Sequence, residues 1–202
     1  MTTIIDYGIG NIKAIVSLLK LLGENYCIAT KKEHILNSNR LILPGVGSFD
    51  NAMNSFNRSG LRDVIEQVVF NKNIPIIGIC IGMHMLTEKS EEGKNLGLGW
   101  IDGEVLKLQS NEFSIRLPHM GYNDLSIHTN SQLLKGLAQR PEFYFLHSYY
   151  VRCNLLENVQ ATTNYGIDFH SVISKENIYG VQFHPEKSHL NGSELIKNFI
   201  KL

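Results

Sequence analysis

The chain has few cysteines, no net charge and no long apolar run, and each shortage argues against a class of protein. Its three cysteines, Cys27, Cys80 and Cys153, cannot form an even disulfide framework, which predicts a reducing, cytoplasmic environment. Nineteen basic residues balance nineteen acidic ones without a long basic run, so no surface for nucleic acid or anionic membrane is expected. No apolar stretch reaches the ~18 residues of a membrane span, and residues 1–6 lack the features of a signal peptide.

The apolar segments of the first half predict alternating strands and helices. Of the 202 residues, 43% are hydrophobic, enough for one substantial core, so residues 1–202 are predicted to form a single domain. Helices are predicted at residues 11–22 and 61–71 and from about residue 83, and strands at residues 3–6, 26–29, 41–43 and 74–79. This alternation is typical of a doubly wound parallel sheet with helices on both faces.

Beyond Gly97 the pattern changes to short strands separated by turns. These strands are predicted at residues 100–108, 113–116, 122–127, 143–146, 159–163, 171–174 and 179–183, before a last helix at residues 195–202. We therefore predict an α/β fold with a central, mostly parallel sheet flanked by helices and additional antiparallel strands in the second half.

Cys80 is the central residue of a Gly-Ile-Cys-Ile-Gly sequence (residues 78–82) between a predicted strand and a predicted helix. The flanking glycines leave room for a strained turn that lifts the thiol above the sheet edge, as in the nucleophile elbow of hydrolases. A position at a helix N-terminus also favours the thiolate. A small buried hydrophobe is the alternative for a single cysteine, and for Cys27 and Cys153 packing is the prediction.

His184 and Glu186 have the spacing needed to complete a catalytic triad. They flank Pro185, which favours extended backbone, and residues two apart on an extended chain project to the same side. Glu186 is then able to hydrogen-bond one ring nitrogen while the other nitrogen faces the nucleophile. Turns at residues 6–11 and 43–48 also follow predicted strands, so all these segments are expected at one edge of the sheet, where ligands bind.

Several motifs together resemble those of the triad, or class I, glutamine amidotransferases. This resemblance is carried by residues 44–47 (Pro-Gly-Val-Gly), 78–82 and 184–186 (His-Pro-Glu). A narrower similarity, to the glutaminase subunits of imidazole glycerol phosphate synthases, is carried by residues 6–11 (Asp-Tyr-Gly-Ile-Gly-Asn), 116–123 (Arg-Leu-Pro-His-Met-Gly-Tyr-Asn), 145–149 (Phe-Leu-His-Ser-Tyr) and 180–188. The matched motifs run in order from the first strand to the last helix.

The resemblance implies hydrolysis of L-glutamine to glutamate and ammonia without a cofactor. It implies that Cys80 attacks the side-chain amide to form a thioester, and that His184, held by Glu186, protonates the leaving ammonia and later activates water.

The resemblance also implies an oxyanion hole and a glutamine site. The oxyanion requires two backbone donors, for which we predict the N–H of Ile81 and the N–H of Val46 or Gly47. The substrate-binding residues that the resemblance implies are Gly45, Gly47, His84, Glu92, His147, Ser148 and Tyr149. A peptide flip in the turn at residues 45–47 would exchange an N–H for a carbonyl, so this turn is a candidate activity switch.

The ammonia is expected to pass directly to a partner, because free ammonia at neutral pH is mostly ammonium, a poor nucleophile. The resemblance implies a heterodimer with a (β/α)8-barrel cyclase that makes imidazole glycerol phosphate and AICAR in histidine biosynthesis. The residues predicted for this interface and its signalling are Asn11, Met120, Gly121 and Lys187.

Position 84 departs from the family pattern, which usually has Gln four residues after the nucleophile. His84 remains one helical turn from the thiol, but an imidazole cannot offer the donor and acceptor of an amide in the same geometry. With Tyr122 in place of the more usual Trp, this leaves open a paralogue that supplies ammonia for the amidination of a surface-polysaccharide sugar.

Two further alternatives remain open on the residues alone. A cysteine hydrolase or isomerase on the same elbow explains Cys80 and His184 but leaves residues 90–93 and 118–121 unexplained. A metal-binding or regulatory subunit is suggested by eight histidines and by the spacing of His184 and His189, but no Cys-x2-Cys or His-x3-His pair accompanies them.

Overall fold

The computed structural model describes residues 1–109 and 115–202. Its first half alternates strands with helices, and a π-helical turn at Gln67–Asn71 extends the fourth helix. The elements are β1 (Thr2–Ile5), α1 (Ile12–Leu21), β2 (Tyr26–Ala29), α2 (Lys32–Leu36), β3 (Arg40–Leu43), α3 (Phe49–Arg58), α4 (Arg62–Glu66), β4 (Ile76–Ile79) and α5 (Ile81–Met85).

The second half consists mainly of strands and ends with one long helix. Short 3-10 turns lie at Gln132–Leu134, Leu156–Asn158 and Pro185–Lys187. The other elements are β5 (Lys89–Ser90), β6 (Gly103–Lys107), β7 (His119–Asp124), β8 (Ser126–Ile127), β9 (Glu142–His147), β10 (Tyr149–Cys153), β11 (Val159–Tyr165), β12 (Ile167–Lys175), β13 (Ile178–Val181) and α6 (His189–Ile200).

Within the described residues, eleven strands form one sheet in the order β2-β1-β3-β4-β13-β12-β10-β6-β5, with β11 beside β12 and β8 beside β11. Five neighbouring strands of this order, β2, β1, β3, β4 and β13, are parallel to one another. Beyond them, β12, β10 and β6 continue the sheet in antiparallel pairs. A separate antiparallel pair, β7 and β9, lies outside this sheet. The predicted α/β fold, parallel in its first part and more antiparallel in its second, is therefore confirmed.

The inner parallel strands β1, β3 and β4 occupy the core because their side chains are covered on both faces. Every residue of β1 and of β4 is buried, as near-continuous apolar runs in parallel sheets usually are. Helix α3 presents Phe49, Ala52, Met53 and Phe56 to the core, at helical spacing. The carboxyl ends of β1, β3, β4 and β13 consequently meet at one edge, with a turn following each strand.

Several predicted boundaries differ from the structure. The last helix begins at His189 rather than at residue 195, and β6 is shorter than the predicted strand 100–108. The predicted strand 122–127 is two strands, because β7 pairs with β9 whereas β8 pairs with β11 in the main sheet. Of the predicted strand 113–116, residues 113 and 114 lie outside the described residues, and residues 115 and 116 are not in a strand.

Candidate active site

Cys80 lies at the carboxyl end of β4 in a conformation that its neighbours impose. Its backbone has φ +54° and ψ −112°, a strained combination for a residue with a side chain. Gly82 is required because a Cβ there would overlap the Leu43 carbonyl, and a Cβ at Gly78 would overlap Gly82. The strand and the helix α5 thus approach each other closely enough to form the predicted elbow, although α5 is only five residues long and its dipole is correspondingly small.

His184 and Glu186 form a buried hydrogen-bonded pair next to this elbow. The His184 Nδ1 lies 2.9 Å from the Glu186 Oε1, and the two side chains are 5% and 2% exposed. His184 itself is extended, as predicted for the residue before a proline. Pro185–Lys187 form a 3-10 turn and not the predicted extended chain, yet the carboxylate reaches the ring. Burial acts to lower the pKa of His184, but its hydrogen bonds and charge interactions with Cys80 and Glu186 raise it to about 10. The imidazole is therefore protonated at neutral pH, beside the Cys80 sulfur.

The turn after β3 lies against the elbow at one end and is open at the other. A Cβ at Gly45 would overlap the backbone of Ile81 and Gly82, so this end cannot move independently of α5. Gly47, in contrast, has φ +87° and open space around its Cα. Among the described residues, the N–H groups of Val46, Gly47 and Ile81 have no hydrogen-bond partner. These unpaired donors have the chemistry that an oxyanion hole requires.

Tyr7 fixes the base of this turn. Its hydroxyl donates to the Pro44 carbonyl at 2.6 Å and lies 3.5 Å from the Met85 sulfur. Burial and the neighbouring Cys80 charge raise the pKa of Tyr7 well above its usual value, so the hydroxyl remains a donor. The sequence predicted that the turn at residues 6–11, which contains Tyr7, lies at the ligand-binding edge of the sheet. It did not predict the contact of Tyr7 with Pro44, which depends on the pairing of β1 with β3.

A cavity of about 330 Å³ lies at the carboxyl edge of the sheet. It brings together most of the residues predicted for the site and two, Pro118 and Leu146, that were not predicted. Gly45 and Glu186 lie behind the wall. The residues lining the cavity are Asn11, Val46, Gly47, Cys80, Ile81, His84, Glu92, Pro118, Leu146, His147, Ser148, Tyr149, His184 and Lys187.

Glu92 is the half-buried carboxylate of this wall. Its Oε2 accepts a hydrogen bond from the Phe49 N–H at 2.9 Å, at the start of α3. Burial raises the pKa of Glu92, and the nearby Asp50 carboxylate adds to this, against the lowering effect of the Phe49 hydrogen bond. A bound cation such as an α-ammonium would relieve the cost of burying this carboxylate.

Asp50 holds the loop that carries Glu92. Its carboxylate accepts hydrogen bonds from the Lys94 and Asn95 N–H groups, each at 2.9 Å. These bonds lower the pKa of Asp50. Each carboxylate thus accepts from the backbone of the other segment: Glu92, on the loop, from the start of α3, and Asp50, on α3, from the loop. The sequence did not predict this reciprocal contact.

His84 is buried and neutral. Burial lowers its pKa to about 4, although its hydrogen bond with Gln182 opposes this shift. The His84 Nε2 lies 2.8 Å from the Gln182 Oε1, while its Nδ1 is buried without a partner. Because the Gln182 oxygen accepts only, Nε2 carries the proton and Nδ1 presents a lone pair.

His147 has both ring nitrogens committed to the protein. Its Nδ1 donates to the Tyr149 carbonyl at 2.8 Å, and its Nε2 lies 2.9 Å from the His119 Nδ1. Burial and the neighbouring His119 hold the pKa of His147 well below its usual value. The imidazole thus supports the β9–β10 connection. It still lines the cavity, while Ser148 and Tyr149 are the neighbouring predicted residues whose polar groups remain able to hydrogen-bond a substrate.

Two of the four predicted interface residues line the cavity, and the other two, Met120 and Gly121, lie on β7 opposite Leu146 and Phe145 of β9. Asn11 and Lys187 line it, Met120 is 66% exposed beside it on β7, and the Lys187 Nζ lies 5.2 Å from the centre of the Tyr144 ring. The Tyr122 hydroxyl donates to the Lys187 carbonyl at 2.8 Å, so β7 and the 3-10 turn after His184 are in direct contact.

Two further features of the described part of the chain concern metals and membranes. No group of three or more His, Cys, Asp or Glu side chains is arranged there to hold a metal ion. None of the helices described is long and apolar enough to cross a membrane.

Comparisons with known proteins point to one family. The family model described as "Glutamine amidotransferase class-I" matches residues 3–202. The chain is 47% identical over 204 residues to "Imidazole glycerol phosphate synthase subunit HisH" of Leptospira borgpetersenii, with 100% of both chains covered. It is 46% identical over 202 residues to "Imidazole glycerol phosphate synthase subunit HisH 2" of Methanococcus maripaludis, covering 100% of this chain and 99% of the relative. These matches confirm the family resemblance predicted from the motifs.

A solved structure supports the fold in the same way. The structure of PurLQS from Thermotoga maritima contains a chain similar to this one with a TM-score of 0.77, covering 99% of this chain and 97% of that chain. Since the two sequences are 16% identical, this likeness shows the fold alone.

Proposed function

Because the chain belongs to the class-I glutamine amidotransferase family, we propose that it is the glutaminase subunit of an imidazole glycerol phosphate synthase. In this role it hydrolyses L-glutamine to glutamate and ammonia and delivers the ammonia to a cyclase partner in histidine biosynthesis. The observation that carries the proposal is the buried His184–Glu186 pair, with 2.9 Å between Nδ1 and Oε1, whose imidazole lines the same cavity as the strained Cys80.

The triad residues have distinct roles. The Cys80 sulfur attacks the side-chain amide carbon of glutamine, and the tetrahedral intermediate collapses to a thioester when the C–N bond breaks. The protonated His184 gives its proton to the leaving nitrogen, which departs as ammonia, and the neutral imidazole then takes a proton from water. Attack of that water breaks the C–S bond, releases glutamate and restores the thiolate and the protonated His184. Glu186 holds the imidazole throughout.

The oxyanion of both tetrahedral intermediates binds the backbone N–H of Ile81 and a second N–H from Val46 or Gly47. The unpaired state of these donors and the open space at Gly47 support this assignment. One such donor contributes about 3 kcal/mol to transition-state stabilisation.

Glutamine's polar end binds at the far side of the cavity from the triad. We assign its α-ammonium to Glu92, whose pKa is raised by burial and by the nearby Asp50, and its α-carboxylate to the N–H groups near Ser148 and Tyr149. The lone pair of the His84 Nδ1 accepts from a substrate N–H, which satisfies a buried atom that otherwise has no partner.

The partner covers the mouth of the cavity. We define the docking face as Asn11, Val46, Met120, Tyr122 and Lys187. Three of its side chains are exposed apolar or aromatic groups, with exposed fractions of 38% for Val46, 66% for Met120 and 49% for Tyr122. Such groups around an active-site mouth are suited to burial in an interface. We assign this face to a (β/α)8-barrel cyclase, which would receive ammonia without its release to water, in the cytoplasm.

The surface-sugar alternative shares this chemistry and differs in the acceptor. The relatives described above are named as imidazole glycerol phosphate synthase subunits over their full length, which does not favour that alternative. The His84 and Tyr122 substitutions that raised it are both compatible with the glutaminase geometry, since His84 bonds Gln182 and Tyr122 bonds Lys187.

The proposal is tested by ammonia release from glutamine in the complex with the cyclase. Cys80→Ser is expected to abolish turnover, because a hydroxyl is far less acidic than a thiol and His184 cannot activate it comparably. Cys27→Ser, which changes a half-buried thiol outside the cavity, is the matched control and should retain full turnover. Turnover above a few per cent in Cys80→Ser would remove the nucleophile assignment.

Substrate scope separates glutaminase from another cysteine hydrolase. The proposed enzyme releases ammonia from L-glutamine and leaves peptide and ester substrates intact. Cleavage of esters or peptides at rates comparable to glutamine would favour the other hydrolase.

A further inference from the structure

Gln182 is a buried polar residue in contact with the nucleophile, and the mechanism above gives it no role. Its side chain is fully buried, and its Nε2 lies 3.9 Å from the Cys80 sulfur, within the range of hydrogen bonds to sulfur. The backbone N–H of Gln182 donates to the Ser171 carbonyl at 2.9 Å, so the residue is anchored beside β12.

His84 determines which end of the Gln182 amide faces the sulfur. The Gln182 Oε1 lies 2.8 Å from the His84 Nε2 and can only accept, so Nε2 carries the proton in this pair. The low pKa of His84, about 4 because of burial, leaves the ring neutral. The amide N–H2 of Gln182 is then directed to Cys80. The reverse orientation would place the carbonyl oxygen against the sulfur lone pairs.

We propose that Gln182 is a further catalytic residue, donating an amide N–H to the Cys80 sulfur, and that His84 is the positioning residue that orients this amide. This inference rests on the proposed glutaminase function. The Gln182 donor favours the thiolate over the thiol, so that the sulfur is ready to attack glutamine. It stabilises the negative charge of the sulfur again when the thioester is hydrolysed and the C–S bond breaks.

The proposal also accounts for His84 in place of the more usual Gln. A Gln side chain at position 84 carries an N–H2 group able to donate to the Gln182 oxygen, as the His84 Nε2–H does. The two residue types are therefore equivalent towards Gln182, although they differ towards the substrate. A leucine at position 84 would leave the Gln182 amide without a partner that selects its orientation.

The first experiment measures the reactivity of the Cys80 thiol without any substrate. The isolated chain is treated with iodoacetamide at neutral pH, and alkylation of Cys80 is followed by mass spectrometry with Cys27 as the internal reference. Gln182→Leu is expected to slow alkylation of Cys80 about tenfold, the usual effect of removing a hydrogen bond to a charged group, and to leave Cys27 unchanged. An unchanged rate at Cys80 would overturn the proposal. If the leucine variant does not fold, Gln182→Met, unbranched and similar in volume, replaces it.

The second experiment tests the positioning role of His84 with a double-mutant cycle on the same alkylation rate. His84→Leu is expected to slow Cys80 alkylation, and His84→Gln to restore most of that loss. In the Gln182→Leu background, His84→Leu should add little, because the amide that it orients is absent. Fully additive effects, or no rescue by His84→Gln, would overturn the role of His84.

Turnover in the complex connects the contact to catalysis. Gln182→Leu is expected to lower kcat for ammonia release about tenfold, with a smaller change in KM, since Gln182 contacts the sulfur rather than the polar end of glutamine. An unchanged kcat would show that the contact is structural only. If the wild-type complex releases no ammonia from glutamine, the proposed function fails, while the alkylation rates still decide whether Gln182 acts on Cys80.

Discussion

His184 is almost completely buried and still keeps its proton, because the Cys80 sulfur and the Glu186 carboxylate outweigh the cost of burial and raise its pKa to about 10. A group whose pKa is raised on folding stabilises the fold fully below its unfolded value, here 6.5. That stabilisation is lost as the pH rises through about 10. In the proposed mechanism the same proton is given to the leaving ammonia, so stability and acid catalysis should decline together on the alkaline side.

The pH dependence of unfolding is therefore expected to change in His184→Gln. The wild type should be more stable than this variant below pH 6.5, and its advantage should shrink as the pH rises towards 10. Urea unfolding of both proteins over this range measures the difference, and a constant difference would contradict the assigned protonation. The kcat/KM of the wild type should fall over the same alkaline range.

Glu186 holds His184 with one oxygen, while its other oxygen, Oε2, is buried without a partner. Glu186→Gln is able to present its amide oxygen to the His184 Nδ1–H and loses only the charge, so we expect a decrease in kcat of roughly tenfold to a hundredfold. Glu186→Leu removes the acceptor as well and should be worse. Steady-state ammonia release ranks the two, and equal losses would mean that charge alone matters.

At the scale of elements, the turn after β3 is held at Gly45 and free at Gly47. Gly47→Ala places a side chain at φ +87° in open space, so we expect a loss of stability of about 1 kcal/mol and a decrease in kcat of at least about tenfold. Gly8→Ala is the matched control, because Gly8 also has φ +87° and open space but does not line the cavity. Thermal unfolding and ammonia release of both variants should show similar stability losses and very different activities. Equal activity losses in the two variants would contradict the assignment of this turn to the oxyanion hole.

The reciprocal hydrogen bonds of Asp50 and Glu92 join α3 to the loop that carries Glu92, the residue proposed to bind the α-ammonium of glutamine. Asp50→Ala removes the acceptor for the Lys94 and Asn95 N–H groups, so Glu92 should lose its position and the KM for glutamine should rise by about threefold to tenfold, with a smaller change in kcat. Asp63→Ala removes another acid from the first turn of a helix and should leave KM unchanged. A change in kcat alone for Asp50→Ala would contradict this role.

At the scale of the whole molecule, the cavity opens onto the docking face, so the partner should control turnover. We expect low ammonia release by the isolated chain, more in the complex, and most when the partner's own ligand is bound. One oxyanion donor supplied on docking accounts for about two orders of magnitude. Steady-state rates in the three states make the comparison, and equal rates would eliminate a switch without affecting the triad.

A charge introduced on the docking face should weaken association with the cyclase without changing glutamine hydrolysis by the isolated chain. Met120→Asp is expected to weaken association with the cyclase while leaving the low turnover of the isolated chain unchanged, because Met120 does not line the cavity. Leu156→Asp is the control. Leu156 is 76% exposed and follows β10 at the end away from the cavity, so its substitution should leave docking intact. Sedimentation or titration calorimetry measures both.

The agreement between sequence and structure depends on whether a feature is local. Strands β1 and β4 were predicted because their apolar runs are buried on both faces, and the Cys80 elbow because its glycines are adjacent in sequence. Helix α3 was missed since its many polar residues hide the apolar positions at helical spacing. The Asp50 and Gln182 contacts join residues 44 and 102 positions apart, and no pattern within either segment indicates them. Motifs indicated the residues of the proposed triad, but they did not predict the 3-10 turn that carries Glu186.

The Cys80 N–H donates to the Val181 carbonyl at 2.8 Å, so the nucleophile and the His184 segment are attached to opposite sides of a single backbone ladder between β4 and β13. Segments so distant in the chain can pair only when a long loop closes, which costs conformational entropy. A nascent or partly unfolded chain therefore has an unassisted thiol and no means of consuming glutamine. Glutaminase activity therefore requires that β4 and β13 are paired. A molecule that has lost this pairing is expected to be inactive and not to hydrolyse glutamine without a partner.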